Sequence, residues 1–310
     1  MSSDEATRAL RVTGADELAL AGWDYGGAGT PLIFLHGFGH DHHVWDEIAP
    51  AFVGSFRALA FDLRGHGASA RDPGFRYHHA SIGKDLAKIV AELGAATVAL
   101  VGHSTAGHAC IGYAARFPEQ VARLVLVDAG AELHPTGGRA GRDAGGEGRA
   151  RGAESMSRGD GSFGSVSEYV AVLKRFHPGA RADLLERLAA CWLRPREDGR
   201  FELTLDERFW RPRTGAESAQ REERPSFDRG AWAAQGEAAL WRDLGAIRCP
   251  TLVVRGARSP LLSAATVERM VGAVLARGRA VEIPDSGHVP MIDNPALLLA
   301  ELGRFLFEAT

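Results

Sequence analysis

Residues 97–117, TVALVGHSTAGHACIGYAARF, constrain the fold more than any other part of the chain. The apolar run 98–101 meets Gly102-His103-Ser104-Thr105-Ala106-Gly107, and a helical pattern of small residues follows at once. This reads as a buried strand turning sharply into a helix with a serine at the corner. So tight a turn needs small neighbours and holds the serine in a strained conformation with its hydroxyl above the sheet edge. The free N–H groups of the helix's first turn would face any oxyanion formed there. The second glycine of the pattern G-x-S-x-G is displaced, because position 106 is alanine and Gly107 follows it. A positive φ at Ala106 would cost on the order of 1 kcal/mol. Taken alone, the motif also fits a buried Gly-Ser turn with no chemistry.

The neighbouring segments place more residues at the same level. Residues 8–13 and 17–25 alternate loosely and read as a sheet-edge pair. Pro31-Leu32-Ile33-Phe34-Leu35 is apolar on both faces, as a central strand of a parallel sheet requires. It ends in His36-Gly37-Phe38-Gly39, whose Phe38 N–H is expected to form an oxyanion hole with the N–H of Thr105. A helix is expected over 44–52. A strand over 56–63 then leads into a turn where Asp62 and Arg64 are expected to pair. After a helix over 81–93 and the elbow itself, the strand 121–127 terminates in Asp128-Ala129-Gly130. Strands alternating with helices give an α/β fold with a mostly parallel sheet, helices on both faces, and a ligand crevice at the carboxyl ends of the strands.

Residues 131–240 break this rhythm. The stretch 135–164 is rich in glycine and arginine and offers too little apolar surface to pack, so it reads as flexible. Helical patterns return in SVSEYVAVLKRF and ADLLERLAACWL, followed by aromatic-bearing segments at 201–210 and 232–244. The expected organisation is a core from 1–130 and 241–310 with an inserted helical cap at 131–240. Phe201, Phe209, Trp210 and Trp232 are expected in the cap's own core, with its apolar side over the crevice. The core resumes with a buried strand at 250–256 and a helix capped by Ser263. The last strand, 279–283, opens into Pro284-Asp285-Ser286-Gly287-His288-Val289-Pro290, and Asn294-Pro295 starts the closing helix.

Composition narrows the function. A net charge of −3 over 310 residues argues against a nucleic-acid or membrane-surface binder and leaves a small molecule as the expected partner. No apolar run approaches a membrane span, and the beginning MSSDEATRAL lacks a secretory pattern. Cys110, Cys191 and Cys249 are scattered without a disulfide or metal-knuckle spacing, so a cytoplasmic location is expected. His40-Asp41-His42-His43 resembles a ligand cluster. Adjacent side chains do not converge on an ion without help from elsewhere, and the sequence offers no complementary cluster, so neither metal nor cofactor is expected.

Together, LHGFG, FDLRGHGAS, VGHSTAG, LVLVDAG, PTLVVRGA and PDSGHVPMIDNP resemble the α/β-hydrolase superfamily in order and spacing over almost the whole chain outside the cap. The resemblance implies that Ser104 attacks a carbonyl, that His288 takes and returns its proton, and that a carboxylate orients His288. In many relatives that acid follows the strand 252–254, where Arg258-Ser259-Pro260 stand here. A serine carries no charge to stabilise an imidazolium, and an arginine would oppose one. Asp128 is therefore expected to be the acid, a position used by haloalkane dehalogenases and cofactor-free ring-cleaving dioxygenases of the same superfamily. Asp285 lies too close in sequence to His288, and Ser259→Ala is expected to be nearly neutral. His36, Gly37, His103 and Trp45 are expected to bind substrate. The elbow serine argues against dehalogenase and epoxide-hydrolase chemistry, leaving an ester, lactone, thioester or activated C–C bond of a small apolar compound. Cofactor-free oxygenase chemistry and ligand binding without turnover stand as alternatives.

Overall fold

The structure is a computed structural model and describes residues 8–132, 161–209 and 229–308, the side chains of 229–235 excepted. An antiparallel edge pair, β1 (Arg8–Thr13) and β2 (Ala19–Gly26), opens the chain. Then come β3 (Pro31–Leu35), β4 (Arg57–Phe61), helix α1 (His79–Glu92), β5 (Val98–His103), helix α2 (Thr105–Arg116) and β6 (Val121–Val127). The inserted region holds three short strands, β7 (Ser162–Phe163), β8 (Leu193–Pro195) and β9 (Phe201–Leu203), with helices α3 (Val166–Phe176) and α4 (Ala182–Trp192). Helix α5 (Arg229–Ala246), β10 (Thr251–Gly256), α6 (Ala264–Arg269), β11 (Gly278–Ile283), the short α7 (Pro290–Asp293) and α8 (Pro295–Leu306) complete the described chain.

The large sheet has the order β1-β2-β4-β3-β5-β6-β10-β11 and is parallel from β4 to β11. Its central strands are apolar on both faces because each face is covered, and the two resulting cores lie on opposite sides of the sheet. On one side, Leu35, Leu100 and Leu126 pack with Leu86 of α1 and Ile111 of α2. On the other, Phe34, Val101 and Val127 pack with Leu298 and Leu302 of α8. Each such side chain contributes roughly 1.5–3 kcal/mol by leaving water. Ser263 and Asn294 cap α6 and α8 as expected, accepting the N–H groups of Thr266 and Leu297.

Several expectations give way. The segment 44–52 is not one helix but two 3₁₀ turns, His42–Trp45 and Ala49–Phe52. Asp41 caps the first by accepting the His43 N–H at 3.0 Å, and Pro50 lacks the N–H a continuous helix would use there. The insert is not purely helical either, since β7, β9 and β8 form their own antiparallel sheet. Trp192, Leu188 and Tyr169 of the insert share one core with Val289 and Met291, so the insert is docked by apolar contact. Within 232–244, read with the cap, Leu240 and Leu244 instead join the core beside Ile111 of α2. Most of 135–164, and Trp210, lie outside the described residues, as does the Trp232 side chain.

Arg64 does not pair with Asp62. Its wholly buried guanidinium forks onto Asp85 at 2.6 and 2.8 Å, with Asp16 and Asp72 at 3.3 and 3.4 Å. Asp62 instead accepts the N–H groups of His42 and Ala68. Among the described residues, no helix is long and apolar enough to cross a membrane.

Candidate active site

Parallel strands in the order β3-β5-β6-β10-β11 line up their carboxyl ends, so residues far apart in sequence meet on one edge. Ser104 follows β5 with φ 52° and ψ −121°, a conformation rare for a side chain larger than hydrogen, and its N–H is held by the Val127 carbonyl at 3.1 Å. The strain lies on Ser104, whereas Ala106 is helical, so the methyl at 106 carries no positive-φ cost. The loop after β3 passes directly over the elbow. A Cβ on Gly37 would come within 2.5 Å of His103 Nδ1 and 3.0 Å of Ser104 Cβ, so only glycine fits.

His288 arrives from the loop after β11. Its backbone is fixed by His103, whose Nε2–H donates to the His288 carbonyl at 2.8 Å, while Asp293 accepts the Gly287 N–H at 2.8 Å. Gly256 permits this path, because a Cβ there would sit 1.8 Å from the Gly287 carbonyl oxygen. The His288 ring, 21% exposed, places Nε2 2.9 Å from Ser104 Oγ and Nδ1 2.6 Å from Asp128 Oδ2. Asp128 is completely buried and takes φ 45° at the end of β6. Its Oδ1 accepts the Gly256 N–H at 3.0 Å, and its Oδ2 accepts the Ser259 hydroxyl at 2.6 Å as well as the imidazole. Three donors therefore fix the orientation of one carboxylate.

The first intrahelical bond of α2 runs from the His108 N–H to the Ser104 carbonyl, leaving the Thr105 N–H without an intrahelical acceptor at the positive end of the helix. Phe38 lies in the loop that crosses Ser104. Its half-exposed ring meets Phe209 of the insert edge-on at 4.8 Å and His66 at 5.6 Å, forming an aromatic wall beside the elbow.

Three residues expected to touch substrate are placed otherwise. His36 is fully buried and spends both ring nitrogens on the backbone, Nε2 accepting the Leu63 N–H at 2.9 Å and Nδ1 donating to Gly37 O at 2.7 Å. Burial pushes its pKa down to about 3. His103 supports the His288 loop, and burial, together with the nearby His288, holds its pKa well below the usual range. Trp45 is wholly enclosed in the core against Phe34, ring centroids 5.2 Å apart. Conversely, sequence reasoning set Ser259 aside although it stands at a position where many relatives carry an acid, which was the available signal.

A model of the alpha/beta hydrolase fold family matches residues 30–142. The 3-hydroxybutyrate-oligomer hydrolase of Cupriavidus necator is 30% identical over 275 residues, 86% of this chain and 84% of that protein. The chain belongs to the α/β-hydrolase superfamily. Another superfamily relative, an esterase of Mycobacterium tuberculosis, is 39% identical over 111 residues, about a third of each chain (36% and 36%). Its crystal structure superimposes with TM-score 0.69 and 25% identity, covering 99% of this chain and 93% of that one. The structure of E-2-(acetamidomethylene)succinate hydrolase shares the fold at TM-score 0.76 with 22% identity, covering 98% of this chain and 100% of that one.

Proposed function

We propose that this α/β-hydrolase cleaves esters of small carboxylic acids, hydroxy acids included, through Ser104, His288 and Asp128. The observation that carries the reading is the hydrogen-bonded line from Ser104 Oγ through both nitrogens of His288 to Asp128 Oδ2, at 2.9 and 2.6 Å. His288 Nε2 accepts the Ser104 proton as Oγ bonds to the ester carbonyl carbon, and Asp128 holds the resulting imidazolium by its Nδ1–H. The N–H groups of Thr105 and Phe38 receive the oxyanion. Collapse of the tetrahedral adduct breaks the C–O bond of the leaving alcohol, which takes the proton from His288. A water, deprotonated by the same imidazole, then releases the acid from Ser104 and restores the enzyme.

The wall formed by Phe38 and Phe209 suits an apolar or lightly substituted acyl or alcohol group. The relative from Cupriavidus necator, named for oligomers of a short hydroxy acid, supports the ester class. The test is hydrolysis of p-nitrophenyl acetate and butyrate and of 3-hydroxybutyrate dimers and trimers, alongside fluorophosphonate labelling. Turnover with a covalent adduct on Ser104 is expected. Failure of every ester together with an unreactive Ser104 would overturn the reading.

A further inference from the structure

The expectation that His40-Asp41-His42-His43 is only a polar loop rested on its side chains having no help from elsewhere in the chain. The fold supplies that help. Ligand atoms of Asp41, His42 and His43 lie within 4.8 Å of one another. The 3₁₀ turn His42–Trp45 sets the two imidazoles against each other, centroids 4.0 Å apart and planes tilted by 34°. His42 Nδ1 lies 2.8 Å from Asp62 Oδ1, and His43 Nδ1 lies 3.0 Å from Asp46 Oδ2. Each ring thus turns Nδ1 to a carboxylate and Nε2 away from it, the arrangement that fixes the tautomer of a metal-binding histidine and raises its basicity.

Two further observations point to a ligand. His42 Nε2 is buried and has no hydrogen-bond partner among the described residues, an unusual state for a buried polar atom. From the insert, α4 brings Cys191, its thiol partly exposed, beside the His43 ring. Asp41 is 3% exposed, and the His43 N–H and the Trp192 indole N–H both fall on its Oδ1, at 3.0 and 2.8 Å. The carboxylate is therefore held in place from both the core loop and α4.

We propose that Asp41, His42, His43 and Cys191 form a site for a thiophilic divalent cation of the zinc class, joining the loop after β3 to helix α4 of the insert. Two imidazoles, one carboxylate and one thiolate match the four-coordinate N, O and S preference of Zn²⁺, whereas Mg²⁺ and Ca²⁺ demand oxygen ligands. Zn–N bonds of about 2.0–2.1 Å require the donors to draw together. His43, with a side chain 32% exposed, and the partly exposed Cys191 have the freedom to do so. The site is distinct from Ser104, His288 and Asp128. Its loop is linked to the Phe38 segment by the His40 N–H on the Gly37 carbonyl at 3.4 Å, so an ion bound there would act on turnover only through the position of that loop.

Equilibrium dialysis of the metal-free protein against Zn²⁺ tests the site without recourse to activity. One saturable equivalent is expected for the wild type. Binding should be about tenfold or more weaker in both His43→Ala and Cys191→Ser, and about tenfold weaker in Asp46→Asn, which removes only the carboxylate behind His43. Zn²⁺ is also expected to slow the reaction of Cys191 with a thiol reagent, while Cys110 and Cys249 are buried. Absence of saturable binding overturns the proposal. So does binding that survives Cys191→Ser or His43→Ala unchanged, and so does binding lost only in His288→Ala, which would place the ion at the elbow.

Discussion

Ser259 Oγ lies 2.6 Å from Asp128 Oδ2 while itself accepting the N–H groups of Leu261 and Leu262 at 3.2 and 3.1 Å. With its lone pairs engaged, the hydroxyl has one direction left for its hydrogen, toward the carboxylate. Ser259→Ala is therefore expected to lower kcat about five- to tenfold with little change in KM, the equivalent of one hydrogen bond of roughly 1 kcal/mol. This replaces the sequence-based expectation of a neutral substitution. Steady-state kinetics on a p-nitrophenyl ester decide it, and an unchanged kcat would show that the Gly256 N–H alone suffices to hold Asp128.

The same proximity allows the acid to be moved. Asp128→Asn should lose about four powers of ten in kcat, since the imidazole then lacks its ionised partner. The double variant Asp128→Asn/Ser259→Asp places a carboxylate on the adjacent strand end and is expected to recover at least about tenfold of that loss. A double variant no better than Asp128→Asn would mean that position 259 cannot reach His288 Nδ1.

Arg64 is buried, at 1% exposure, and its guanidinium is held by buried carboxylates. Arg64→Met leaves Asp85, with a side chain only 5% exposed, and the fully buried Asp72 without that guanidinium. Breaking a buried pair in this way costs about 3–5 kcal/mol. Urea unfolding should show a correspondingly lower midpoint, and a shift worth less than about 1 kcal/mol would contradict the assignment.

Stability should also fall on the acid side of neutrality. Burial pushes the His66 pKa down to about 4, and His36 lies lower still at about 3. The unfolded chain takes up protons near pH 6.5 that the folded one refuses, so the contribution is complete above that pH and is lost as pH falls toward 4. Each ring accounts for roughly 2 kcal/mol between pH 7 and pH 5. Urea midpoints at those two pH values should differ less in His66→Gln than in the wild type. An identical difference in the two proteins would refute the account.

What the sequence reveals here follows from the range of each interaction. The elbow at Ser104, the strand end at Asp128 and the loop at His288 were legible because buried parallel strands are continuous apolar runs whose ends are marked by glycine and polar residues. The caps at Ser263 and Asn294 were legible because a cap is a local bond. The partners of Arg64 and Ser259, and the approach of Cys191 to His43, were not, since side chains that meet across the fold leave no period in the sequence. His36 and Trp45 misled for a related reason. A histidine at a strand end and a tryptophan in a turn look alike whether they face a ligand or the interior, and only the Leu63 N–H and the Phe34 ring decide.

On the proposed mechanism, the nucleophile Ser104 and the acid Asp128, which directly follows β6, belong to the stretch before the insert, while the imidazole of His288 belongs to the stretch after it. As the protein leaves the ribosome, the serine and the aspartate can take their places without gaining reactivity. Activity must wait for β10 to zip onto β6 at Thr251↔Leu124 through Val254↔Val127, and for β11 to follow. On that mechanism the Ser104 hydroxyl would have no base until β11 is in place, and two separately made halves would become active only on finding one another.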